Sequence, residues 1–259
     1  MAQLRMPGVN EMLKVDVTDH VATVTLDRPA VLNAINHEQR QNLELVLRAL
    51  EVHDSVRVLV LQGAGRSFSA GQDQKESAAM NADGAAQRVE GYVSMYKALR
   101  ALSKPVIARL HGHAAGSGLQ MALLADLRFA AATAKLGMTE LDAGSTAILG
   151  SALLRSLVGE ACMRRLVLYS DFITAAEALS MNLVHEVHAE DALDARIHEV
   201  AAELATRPPL AMALTKQWWR KMGDVIFDAA VEQARIDHAR NFAAGGFSVG
   251  AQAFKASGK

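Results

Sequence analysis

The chain has 259 residues, which at roughly 150 residues per domain is one large domain or one domain with an appendage. Apolar residues make up 51% and charged residues 21%, a balance that excludes an intrinsically disordered chain. The 27 basic and 28 acidic residues leave a net charge of -1, so no long-range field draws in nucleic acid or an anionic membrane surface.

A single cysteine, Cys162, excludes an internal disulfide framework and a cysteine-based zinc site, and fits a reducing, cytoplasmic setting. The first residues carry no apolar run of signal-peptide length. The most apolar stretch, residues 105–134, is interrupted by Arg109, His111, His113, Asp126 and Arg128, so neither a secretory signal nor a membrane span is expected.

Period-two alternation over residues 14–18 and 20–26 predicts a hairpin turning at Asp19. Arg28-Pro29 breaks the strand, Asn36 is placed to cap a helix, and Leu43, Val46, Leu47 and Leu50 give that helix one apolar face. Residues 56–62 read as a strand covered on both faces. A second helix spans 85–102, with Val89, Tyr92, Val93, Tyr96 and Leu99 on one side, and residues 80–84 before it read as a loop near the site. Strands at 105–110 and 127–131 flank an apolar helix opened by Gly116-Ser117-Gly118. This alternation is the rhythm of an α/β domain with crossover connections.

Beyond about residue 145 strands nearly vanish. Residues 148–170 read as helices broken at Gly159, Thr174-Ala-Ala-Glu177 is a capping box, and 183–187 is the last strand candidate. From Asp191 onward the pattern is helical, with breaks expected at Pro208-Pro209 and at Gly223-Asp224.

Two glycine clusters invite a nucleotide-binding reading and fail it. Gly63-Ala-Gly65 has Phe68 where a dinucleotide fingerprint needs its third glycine, Gly116-Ser-Gly118 has Met121, and neither carries the Lys-Ser/Thr end of a phosphate loop. Ser117 lacks the flanking glycines of a nucleophile elbow. Each cluster does follow a buried strand, where backbone N–H groups of a turn or helix start can point into a crevice. Two such donors converging make an oxyanion hole.

At this point the sequence resembles the crotonase superfamily, the enoyl-CoA hydratase and isomerase family. Phe68-Ser-Ala70-Gly71-Gln72-Asp73 looks like its F-x-A-G-x-D turn, and His111-Gly112 through Gly116-Ser117-Gly118-Leu119-Gln120 looks like its N-G-x-x-x-G-G-G-x-E helix start. Arg28-Pro29 with Asn33-Ala34, Ala134 to Glu140 with Gly137, and the Ala175, Glu177, Ala178, Leu183 and Val184 stretch match further segments in order.

The resemblance implies an α/β spiral of ββα repeats over residues 1–190 and a helical C-terminal trimerisation region over 191–259, assembled as a homotrimer or dimer of trimers. It implies an acyl-CoA thioester substrate, no cofactor beyond the coenzyme A of that substrate, and no metal. The backbone N–H groups of Gln72 and Ser117 take the oxyanion-hole positions, and Val31, Ala70, Gln72, Asp73, Lys75 and Ser117 take substrate-binding positions.

Its water-adding members carry two glutamates, at positions that here are Gln120 and Glu140. An amide exchanges no proton at neutral pH, so Glu140 is left as the single acid/base, with Gln120 to orient a water or a carbonyl. One carboxylate suffices to move a double bond, and water addition with Gln120 holding the water is the close competitor. Relatives that isomerise dienoyl groups or dehalogenate aryl groups use an aspartate where Ile148 stands. The alternatives are a hydratase-lyase on an aromatic acyl-CoA and a non-catalytic acyl-CoA-binding homologue.

His111 stands at the asparagine position of the second motif and is read as bonding the turn backbone, not a metal. Asp142 reads as lying in β-like alternation with Glu140, solvated or capping a helix. Met212, Trp218 and Trp219 read as core or subunit contact, and the ending at Phe254–Lys259 is shorter than the basic tails common in relatives.

Overall fold

The computed structural model describes residues 6–246; the ending at Phe254 to Lys259 lies outside the described residues. β1 (Leu13–Thr18) and β2 (Val21–Leu26) form the antiparallel hairpin, turned by Asp19 and His20 at φ 47° and 67°. Both turn residues are left-handed, as a two-residue hairpin loop requires. A short 3-10 turn (Pro29–Val31) leads to α1 (His37–Glu51), whose first turn is capped by the Asn36 side chain accepting from Gln39 N.

The chain then runs β3 (Val58–Gly63), α2 (Gln74–Ala78), α3 (Ala82–Ala101), β4 (Val106–Leu110), β5 (His113–Ala115), α4 (Ser117–Leu123), β6 (Leu127–Ala131) and β7 (Lys135–Gly137). It continues with α5 (Ile148–Tyr169), β8 (Phe172–Thr174), α6 (Ala175–Ser180), β9 (Glu186–His188), α7 (Glu190–Ala205) and α8 (Pro209–Ala243). The main sheet has the order β1-β2-β3-β4-β6-β9, parallel beyond the first hairpin, and β5-β7-β8 form a second, small sheet. Parallel strands need covering on both faces, and β3 is buried along nearly its whole length. One core packs α1, α3 and both sheets together; a second sets Leu193, Ile197 and Ala201 of α7 against Val58, Val60, Ile107 and Phe129.

Three expectations need correction. Residues 80–84 are not a loop: Asn81 caps α3 by accepting from Gly84 N at 2.9 Å, so Ala82 to Gly84 are its first turn. Gly223-Asp224 does not break the C-terminal helix, and α8 runs unbroken for 35 residues. Arg100 holds that point, bonding Asp224 at 2.9 Å and lying over the Phe227 ring at 4.3 Å, and this packing outweighs the helix propensity glycine lacks. Asp142 is not in strand-like alternation either, because residues 139–145 form a turn closed by Ser145 N donating to Glu140 O at 2.8 Å. The break at Gly159 and the Thr174/Glu177 capping box are present as read. β5, β7, β8 and α2 were not expected; at three to five residues they are too short to show a period.

Candidate active site

Successive turns of the spiral are stitched edge to edge around residues 68–73. Phe68 N and Ser69 N donate to His111 O and His113 O at 2.8 and 3.0 Å, and Ala115 N donates back to Ser69 O at 3.0 Å. On the other side Ala70 N donates to Leu32 O at 2.8 Å and Ile35 N to Gly71 O at 2.7 Å. The Asn33 amide, fully buried, donates to Ala64 O and Ser67 O at 2.9 and 2.7 Å, while Arg28 bonds Ala34 O and pairs with Asp73 at 2.9 Å. The Arg-Pro-x-x-x-Asn segment is thus the clamp that shapes this turn.

Two glycines set the donors. Gly71 has φ 85°, and a Cβ there would lie 2.5 Å from Ala115 O and 3.3 Å from Ser117 N, so the turn presses directly on the start of α4. Gly116 has φ 49° and ψ -124°, open in practice to glycine alone. Gln72 and Ser117, which follow these glycines, do not themselves need positive φ, so side chains are tolerated there. Among the described residues neither N–H has an acceptor, and both residues line one cleft of about 840 Å³.

The same cleft is lined by Ala70, Gln120 and Glu140. Gln120, on the inner face of α4, donates from Nε2 to Glu140 Oε1 at 2.6 Å. Glu140 Oε2 is buried and accepts no hydrogen bond among the described residues. Burial pushes the carboxyl up to about 7, against the opposing hydrogen bonds from Gln120 and from its own backbone. A carboxylate with one oxygen tethered and the other bare, titrating near neutrality, is equipped to take up and release a proton.

Of the other residues singled out, Val31, Asp73 and Lys75 do not line the cleft. Val31 is exposed at the end of the 3-10 turn, Lys75 is exposed on α2, and Asp73 is buried, capping α2 and paired with Arg28. His111 Nε2 lies 3.0 Å from Gly65 O, a turn contact as read. Among the described residues no group of three or more His, Cys, Asp or Glu is placed to hold a metal ion, and no helix is long and apolar enough to cross a membrane.

Sequence reasoning missed the far wall. Tyr96 Oη donates to Ser117 O at 2.9 Å and Ser117 Oγ donates to Tyr92 Oη at 3.0 Å, so two tyrosines of α3 pin Ser117. Arg88, Thr146 and His238 also line the cleft. The available signal was two tyrosines on a buried helix face, since a buried phenol needs a partner for its hydroxyl.

The profile of the enoyl-CoA hydratase/isomerase family matches residues 16–257. The chain belongs to the enoyl-CoA hydratase/isomerase family. It is 35% identical over 204 residues to an (E)-benzylidenesuccinyl-CoA hydratase of Thauera aromatica, covering 78% of this chain and 79% of the relative. It is 33% identical over 212 residues to a 1,2-epoxyphenylacetyl-CoA isomerase of Escherichia coli K12, covering 80% and 81%. Among solved structures, an enoyl-CoA hydratase from Mycobacterium avium subsp. paratuberculosis K-10 matches with a TM-score of 0.85 at 27% identity, covering 95% of this chain and 96% of that one. The protein is therefore an enzyme of the hydratase/isomerase type acting on acyl-CoA, with the family's α/β fold and a helical C-terminal region.

Proposed function

We propose that the enzyme forms a thioester enolate with Glu140 as its only acid/base and uses it to move a double bond in an enoyl-CoA. The backbone N–H groups of Gln72 and Ser117 receive the carbonyl oxygen as negative charge develops on it. One donor of this kind contributes roughly 2.7–4 kcal/mol to a transition state. Glu140 Oε2 takes the proton from the carbon next to the thioester, and the same carboxyl returns it two carbons further along the conjugated enolate. Only protons and one double bond move, so no cofactor is needed beyond the coenzyme A of the substrate, and no metal enters the reading. The observation that carries it is the single bare carboxylate oxygen in a cleft whose other candidate base is an amide.

Water addition is the second reading. It is supported by the 2.6 Å bond joining Gln120 to Glu140, a pair able to hold one water between amide and carboxyl, and by relatives named as hydratases. Ala70 belongs to the substrate site through the cleft itself, while Val31 and Lys75, both exposed beside the clamped turn, are assigned to the coenzyme A portion and Asp73 to shaping the loop they flank.

The reading includes a cytoplasmic enzyme, supported by its lone cysteine, and a homotrimer or dimer of trimers built through the region from residue 191. The exposed apolar face of α8 supports that assembly.

Incubating the protein with a panel of 2-enoyl- and 3-enoyl-CoA thioesters, and following the products by mass spectrometry and proton NMR, tests the reaction. A shifted double bond without gain of water is the expected result. Gain of one water identifies the second reading, and binding without any conversion defeats both.

A further inference from the structure

Gln72 and Ser117 stand on different turns of the spiral, and each turn aims one N–H by a local bond. Gly71 O accepts from Ile35 N at 2.7 Å, and Gly116 O accepts from Gln120 N at 2.9 Å. In a trans peptide the N–H points opposite to the oxygen, so these bonds fix the directions of the Gln72 and Ser117 N–H groups. They do not by themselves fix how far apart the two groups lie. A second set of contacts links the same two residues side chain to side chain, through α1, α2 and α3.

The path starts at Ser117, whose Oγ donates to Tyr92 Oη at 3.0 Å. Burial pushes the Tyr92 phenol up, so it keeps its proton and donates to Ile35 O at 3.4 Å. Ile35 O also accepts from Asp73 N at 3.2 Å, which holds the residue after Gln72. From α1, the guanidinium of Arg40 lies over the Tyr92 ring at 4.8 Å and bonds both Glu76 oxygens at 2.9 and 2.6 Å. Glu76 completes the link, its Oε2 accepting from Gln72 Nε2 at 3.0 Å. Arg40 is 1% exposed, and the backbone makes room for it: a Cβ at Gly91, within α3, would lie 3.0 Å from Arg40 Nε. A glycine inside a helix is otherwise unfavourable, so its place beside Tyr92 is explained by the arginine. Neither Arg40 nor Glu76 lines the cleft, although each touches a residue that does. A buried ion pair adds little stability, because desolvating both charges offsets their attraction; a two-bond arginine–carboxylate pair does impose one geometry.

We propose that Tyr92, Arg40 and Glu76 are positioning residues that act as one unit, setting the spacing of the Gln72 and Ser117 N–H groups so that both reach a single carbonyl oxygen. This rests on the reading of those two groups as donors to the thioester and adds the residues that hold them to it.

The probe is butyryl-CoA labelled with carbon-13 at the carbonyl, which has no double bond to move or hydrate. Hydrogen bonds to a carbonyl oxygen lower its stretching frequency, so the infrared difference spectrum of the bound thioester reads the donors directly. Wild type is expected to lower the frequency below that of the free thioester in water. Tyr92→Phe, Ser117→Ala and Glu76→Gln are each expected to reverse part of that shift. With whichever 2-enoyl- or 3-enoyl-CoA the wild type converts, each should also lower kcat roughly tenfold while KM stays within about twofold. Tyr92→Phe combined with Glu76→Gln should lose about as much as the worse single variant, since one broken link opens the whole path.

A wild-type shift that Tyr92→Phe and Glu76→Gln leave in place overturns the proposal and leaves the two donors standing; a lower melting temperature alone is then the mark of a merely structural role. Loss in Tyr92→Phe without loss in Ser117→Ala and Glu76→Gln also overturns it, because the phenol would then act on the substrate itself. Absence of any shift in wild type defeats the donor reading and the proposal with it. If Glu76→Gln, which leaves a buried cation without its carboxylate, fails to fold by circular dichroism, Tyr92→Phe and Ser117→Ala decide.

Discussion

Glu140 illustrates how one side chain's surroundings set both its chemistry and its cost. Its carboxyl titrates at about 7 because the cleft removes water from it. If the ionised form is the base, kcat/KM rises with pH through about 7 and then levels; a flat profile between about pH 5 and 9 contradicts the assignment. The same shift is a statement about stability. The folded pKa lies above the ordinary 4.5, so the folded protein holds this proton more tightly, and the resulting stability is full below about 4.5 and lost as pH rises through about 7. Glu140→Gln, which leaves no charge to bury, should be more stable than wild type by up to about 3 kcal/mol at pH 8 and equal to it near pH 4 in denaturant unfolding.

Gly116 is the complementary case, a residue that matters for having no side chain. At φ 49° and ψ -124°, a backbone conformation that strains any side chain, Gly116→Ala should cost about 1–3 kcal/mol and lower activity together, read by thermal melting and turnover.

At the scale of elements, what was legible in the sequence is what local chemistry decides. The hairpin at Asp19, the Asn36 cap, the capping box at Thr174 and the break at Gly159 depend on residues a few positions apart, and all four are present. Gly223 shows the opposite. By local propensity it ends a helix, yet Arg100, more than a hundred residues earlier, binds across it and α8 continues. A Cβ at Gly223 would meet only Arg100 Nη2 and Nη1, at 3.6 and 3.8 Å, ordinary contact distances. Gly223→Ala should therefore stabilise the protein by about 0.5–1 kcal/mol; destabilisation in denaturant unfolding counts against this account of the helix. The hydroxyl roles of Tyr92 and Tyr96 stayed hidden for the same reason, since an apolar helix face reads alike whether or not its tyrosines meet a distant serine.

At the scale of the whole molecule, motifs at residues 28–33, 68–73, 111–120 and 134–140 could be recognised one by one. Their convergence could not, because it arises when parallel strands stack one turn of the spiral on the next. The C-terminal third gives a further consequence. Leu214, Trp218, Met222 and Val225 form one stripe along α8, and Trp218 is 61% exposed, so Trp218 and its neighbours are not core within the single chain. If that stripe joins subunits, sedimentation should give three or six times the 27.7 kDa chain mass, and Leu214→Asp with Trp218→Asp should give the single-chain mass.

The most direct test of the single-carboxylate enolate is deuterium incorporation. Wild type and Glu140→Gln are incubated with a 3-enoyl-CoA in deuterated water, and label at the carbon next to the thioester is followed by proton NMR while thioester affinity is measured in parallel. Incorporation by wild type, lost in Glu140→Gln with affinity kept within about tenfold, is the predicted result. Equal incorporation by both proteins would contradict it, since the proton would then be taken by some other group.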